Sequence, residues 1–168
     1  NNNAYCQDNE ISWIEWQLTK KQQDLLTFNQ QVMQLRKTHR AFRQRYFFDG
    51  RPMTEGGPKD LAWIAADGHE VPEAAWHDGG MRTLGMYIAG DLQDRPEGPP
   101  VSDDSFLFIL HAGEEPLDFT LPGRPYGASY RRILDSEADQ STPAEANEPA
   151  GGTVTLAPKS LVLFVVSD

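Results

Sequence analysis

Three amides open this chain: Asn1, Asn2 and Asn3 lead through Ala4, Tyr5 and Cys6 to Gln7, Asp8 and Asn9. Amide side chains both donate and accept hydrogen bonds, so a run of them beside a phenol and a carboxylate suits a surface that grips a hydroxyl-rich ligand. Asn1, Asn2, Asn3, Tyr5, Gln7 and Asp8 therefore form a candidate binding strip. Its chemistry would be holding hydroxyls and shaping a loop, not moving protons. The same composition also reads as a polar surface loop.

Other reactive side chains are scattered. His39, His69, His77 and His111 show no zinc-type spacing with one another or with Cys6, and neither a metal nor a cofactor is expected. His69 and His77 fall in a Gly-rich segment and read as surface groups, and His39 suits the negative end of a helix. No serine lies in a nucleophile elbow and no Gly-rich phosphate cradle is present. Cys6, a lone thiol beside acids, lacks the positive surroundings that would activate it and reads as a packing group.

A length of 168 residues supports one sizeable core. The formal net charge of −10 argues against nucleic-acid backbones and anionic membranes as partners. With a single cysteine no intrachain disulfide can form, which favours a cytoplasmic setting. No stretch approaches the roughly 20 apolar residues of a membrane span.

The elements that must carry these residues divide the chain in two. Residues 1–45 read as helical. Thr19 with Gln22 makes a capping-box pattern for a helix running to about His39. Leu25, Leu26, Phe28, Val32, Met33 and Leu35 fill half of its wheel, with Asn29 and Arg36 near the middle of the arc. So wide an arc predicts a helix wedged between two surfaces. Burying those side chains would contribute at most about 9–18 kcal/mol, at about 1.5–3 each.

Residues 46–168 read as β. Strands are predicted at Leu61–Ala65, Arg82–Ile88, Ser105–His111, Leu117–Leu121, Tyr130–Leu134, Thr153–Leu156 and Ser160–Val166, separated by Gly and Pro. The continuously apolar runs Phe106–Leu110 and Leu161–Val166 predict central strands covered on both faces. Ala112–Pro116 is short enough to join neighbouring antiparallel strands. The fold class is mainly β, an antiparallel sandwich preceded by one or two helices. Gly90–Asp104 and Asp135–Gly152 read as long loops, the second too poor in large apolar groups to order itself.

Several motifs resemble one family. Asn1 to Trp16 is similar to a signature stretch of bacterial glycogen debranching enzymes, the isoamylase-like branch of the α-amylase superfamily. Phe47-Phe48-Asp49-Gly50-Arg51-Pro52, Lys59-Asp60-Leu61-Ala62-Trp63, Asp103-Asp104-Ser105-Phe106 through Glu115-Pro116, and Thr120-Leu121-Pro122 follow in the family's order. The pattern departs at His111, where an asparagine is expected, and at Gly113 and Glu114, which stand in place of histidines.

The resemblance implies that this chain is the tail of a larger enzyme hydrolysing α-1,6 branch points of glycogen or limit dextrin. Residues 1–45 would be the helical end of a catalytic (β/α)8 barrel and residues 46–168 a C-terminal β-sandwich domain. The missing barrel and the α-glucan are the implied partners. Retaining glycosidases need two carboxyl groups about 5–5.5 Å apart. The neighbours Asp103/Asp104 and Glu114/Glu115 read instead as solvated turns, and the family's catalytic carboxylates lie upstream, so none is assigned here. An inactive chain is expected.

Two other readings stay open. An autonomous carbohydrate-binding module would use exposed rings, Trp76 above all, whereas Trp63 reads as core. A structural association domain would pair through the apolar helix face.

Overall fold

The computed structural model describes residues 5–44, 47–52, 54–90, 103–137 and 147–168. The chain forms two compact units, Asn1–Leu35 and Arg36–Asp168.

Helix α1 spans Lys20–Thr38. The capping box forms as the sequence dictates: the Thr19 amide donates to Gln22 Oε1 at 2.8 Å and the Gln22 amide to Thr19 Oγ1 at 3.4 Å. Arg36 and Lys37 stand in its last turn, where cations offset the carbonyl dipole. No residue of α1 is buried, and Leu25, Leu26, Val32 and Met33 are exposed.

Eight antiparallel strands follow among the described residues: β1 Leu61–Ile64, β2 Thr83–Ile88, β3 Ser105–His111, β4 Leu117–Thr120, β5 Ser129–Asp135, β6 Asn147–Pro149, β7 Thr153–Leu156 and β8 Ser160–Ser167. Six form one sheet in the order β1-β2-β3-β8-β5-β6, and β4 pairs with β7 in a second. Side-chain alternation points Ala62, Ile64, Tyr87, Leu107, Ile109, Val162 and Phe164 from the large sheet towards Phe119, Leu121, Val154 and Leu156 from the small-sheet side. That shared core makes the two sheets a sandwich.

β3 and β8 are central strands as predicted, but cover on the outer face is incomplete, with Leu110 of the first run 42% exposed. Their outer-facing residues Phe106, Leu163 and Val165 are as deeply buried as the inner ones. The 3₁₀ turn Arg40–Arg43 supplies part of the cover. Its Phe42 ring packs on Phe106 at 4.4 Å and Phe108 at 5.5 Å between centroids.

Three local expectations are corrected. Ala112–Pro116 does not close a hairpin: it carries the chain from the large sheet to the small one, because β4 pairs with β7 and β3 with β2 and β8. Asn147–Pro149, inside the expected second loop, adds a strand to β5. Trp63 is not core. Its neighbours Ala62 and Ile64 take the inner face, so Trp63 points outward and meets Trp76 edge-to-face at 5.9 Å.

Candidate functional site

The candidate strip is a tight, exposed turn. Tyr5 and Cys6 have φ of 49° and 59°, a left-handed pair that reverses the chain at once. Ser12 staples the other side, its hydroxyl donating to the Gln7 carbonyl at 2.5 Å, while the Asn9 side chain accepts the Ile11 amide at 3.1 Å. Asp8 Oδ1 accepts the Trp13 indole N–H at 2.6 Å. Asp8 thus holds Trp13 in place, a role its type alone did not reveal. Tyr5 is 83% exposed, and Gln7 and Asp8 are exposed beside it. Asn1, Asn2 and Asn3 lie outside the described residues. Trp13 and Trp16 precede α1 in irregular chain and are 63% and 75% exposed.

A second polar centre was not legible as one. His39 follows α1 directly, and its Nδ1 lies 2.8 Å from Asp103 Oδ1. Asp103 Oδ2 accepts the Ala41 amide at 2.9 Å, and Oδ1 the Asp104 amide at 2.8 Å. The side chain of Asp103 is only 11% exposed, so the solvated-turn reading is wrong for it and holds for Asp104. His39 answers to this carboxylate rather than to the helix dipole, and its ring sits edge-on to Phe106 at 4.8 Å. Burial pushes the Asp103 carboxyl up, but the hydrogen bonds from Ala41, His39 and Asp104 and the His39 charge outweigh it, leaving Asp103 below the ordinary carboxylate range. Such a group is ionised at neutral pH and no general acid.

His39, Asp103 and Asp104 place ligand atoms within 4.8 Å of one another. A divalent cation is nonetheless a poor fit. Both oxygens of Asp103 are occupied by main-chain donors, and a cation would have to displace the imidazole hydrogen bond.

Glu114 is exposed and pairs with Lys159 at 2.9 Å. His111 is buried, bonded through Nδ1 to Thr83 Oγ1 at 2.7 Å and through Nε2 to the Glu115 carbonyl at 2.8 Å. The carbonyl contact fixes the proton on Nε2. His69 and His77 are exposed, as is Cys6, whose exposure corrects the packing expectation. No helix among the described residues is long and apolar enough to cross a membrane.

Relatives place this geometry. A glycogen operon protein GlgX homologue of Mycobacterium bovis is 37% identical over 139 residues, covering 81% of this chain and 19% of its own. The chain resembles an isoamylase-like glycogen debranching enzyme. Isoamylase of Pseudomonas amyloderamosa is 26% identical over 137 residues, 81% of this chain and 16% of the relative. The fold is shared with pullulanase type I from Bacillus subtilis, solved with maltose, at a TM-score of 0.54 and 16% identity over 91% of this chain and 17% of that one. No family model matches. The chain thus spans about a fifth of the length of the relatives it matches.

Proposed function

We propose that this chain is the C-terminal portion of a glycogen or limit-dextrin debranching α-1,6-glucosidase, in which it provides scaffold and one rim of the substrate groove. The carrying observation is the character of residues 5–35: none described there is buried, yet Ile11, Trp13, Ile14, Trp16, Leu25 and Met33 are all exposed. A free surface rarely shows so many large apolar groups together, and such patches mark surfaces meant to be covered. The relatives' much greater length supports a covering partner from the same polypeptide, the catalytic (β/α)8 barrel. The bond-breaking carboxylates reside there, forming a covalent glycosyl intermediate, and the isolated chain is inactive. The parent works in the cytoplasm, where the exposed Cys6 thiol stays reduced.

Within that enzyme Asn1, Asn2, Asn3, Tyr5, Gln7 and Asp8 line the groove and hold glucose hydroxyls. The test is release of reducing ends from a branched α-glucan by the 168-residue chain beside the intact protein. Turnover by the intact protein alone is expected, and turnover by the chain alone overturns the proposal. Tyr5→Ala in the intact enzyme is expected to raise KM more than it lowers kcat.

A second reading is favoured by one observation, the 41% exposure of Trp76 beside Trp63. A sandwich that binds glycan by itself would be retained on glycogen, and Trp76→Ala would release it. Absence of retention removes that reading.

A further inference from the structure

We propose that Asp103 is an acid-released latch that seats the turn Arg40–Arg43 on the outer face of the large sheet. The inference does not depend on the function proposed above. The turn buries Ala41 and is held by polar ties to Asp103. Its main chain bonds to Asp103 through the Ala41 amide at 2.9 Å, and the preceding His39 bonds to the other carboxylate oxygen at 2.8 Å. These contacts bridge 62 and 64 residues of sequence. Between them they fix where the chain leaving α1 must cross the sheet, and they hold Phe42 over Phe106 and Phe108.

One side of the latch is rigid. A Cβ on Gly90, just beyond β2, would come within 2.2 Å of the Asp103 carbonyl oxygen and 2.1 Å of that of Asp104. Only a glycine lets the two backbones approach so closely. The Gly90 amide also donates to Ser105 Oγ at 3.1 Å. Asp103 therefore stays with the sheet, and losing its charge frees the turn.

Few charges compete among the described residues. His39 and the half-exposed Asp104, whose Oδ2 lies 4.0 Å from His39 Nδ1, face the carboxylate. On the turn side Arg43 donates to the Lys37 carbonyl at 3.0 Å and Arg36 to the Phe42 carbonyl. Arg40 and Lys37 are exposed. On the strand side the neighbour is the apolar ring of Phe106. Protonating Asp103 removes the acceptor charge for two N–H donors at once and leaves His39 facing a neutral acid. Because Asp103 is held below its ordinary range, its contribution is complete above about pH 4 and lost as pH falls through its folded value.

The test is amide hydrogen exchange on the whole chain, corrected for intrinsic exchange rates. At neutral pH Ala41 should be protected. On acidification its protection should fall by about tenfold or more, the worth of a charged hydrogen bond, while β3 and β8 amides keep theirs. Asp103→Ala should lack Ala41 protection at every pH. Asp103→Asn, which keeps one acceptor without the charge, should show reduced protection that no longer changes with acid. Ala41 protection that persists in Asp103→Ala, that ignores pH in the wild type, or that falls only together with the sheet overturns the latch.

Discussion

His111 accounts for a departure that looked arbitrary in the sequence. Its ring spans two partners, Thr83 on β2 and the Glu115 carbonyl beyond β3, and it lies where a side chain at position 113 would go. A Cβ there would come within 2.5 Å of His111 Cε1 and 2.9 Å of Nε2. The His111 ring therefore occupies the space that a side chain at Gly113 would need. Gly113→Ala should cost about 1–3 kcal/mol by overpacking, read from urea denaturation. In a His111→Ala background most of that cost should vanish, a coupling of about 1 kcal/mol or more. Glu70 offers a second test. Burial raises its pKa, but hydrogen bonds from Lys59 and Tyr126 and the Lys59 charge carry it below the ordinary glutamate value. The stabilisation is present above the ordinary glutamate range and lost as pH falls through the folded pKa. Glu70→Gln should thus weaken the fold at neutral pH and change it less in acid, seen by comparing denaturation midpoints.

At the scale of elements, α1 depends on its own ends because none of its residues is buried. Thr19→Ala should lower its stability by about 1 kcal/mol, measured as faster amide exchange in the first turn while the strands are unaffected. The capping box and the seven predicted strands were legible because capping and apolar patterning are local signals. β6 was not: Asn147-Glu148-Pro149 has no apolar pattern, and its strand conformation comes from main-chain pairing with Ser129–Arg131. The path of Ala112–Pro116 was hidden because loop length is the same for a hairpin and a crossing. The Asp103–His39 pair was invisible for a different reason. Its partners are 64 residues apart, and adjacent acids before a strand look solvated whatever folds over them. Of the binding strip, Tyr5, Gln7 and Asp8 stand exposed as the composition suggested, but nothing in it showed that Asp8 would be drawn into holding Trp13.

The sandwich as a whole carries three tyrosines whose ionisation it resists. Burial comes first for Tyr87, Tyr126 and Tyr130, and the Tyr126 hydroxyl also donates to Glu70 at 2.5 Å. All three are raised above the ordinary phenol value. The unfolded chain would lose these protons first, so stability is complete below about pH 10 and declines as pH climbs beyond it. Phenolate absorbance from the three should therefore appear together with loss of β-sheet ellipticity. Phenolates forming while the sheet remains intact would contradict the burial described here.

The strand order has one more effect, on how the protein is made. Among the described residues β8 follows every other strand in the chain and sits between β3 and β5. A ribosome therefore delivers the flanking strands well before the piece that zips them together. Until Ser160–Ser167 emerges, β1–β3 and β5–β6 are separate ribbons with bare central edges. Nascent chains stalled before that point should recruit chaperones, and losing the final strand should abolish the sandwich rather than trim it.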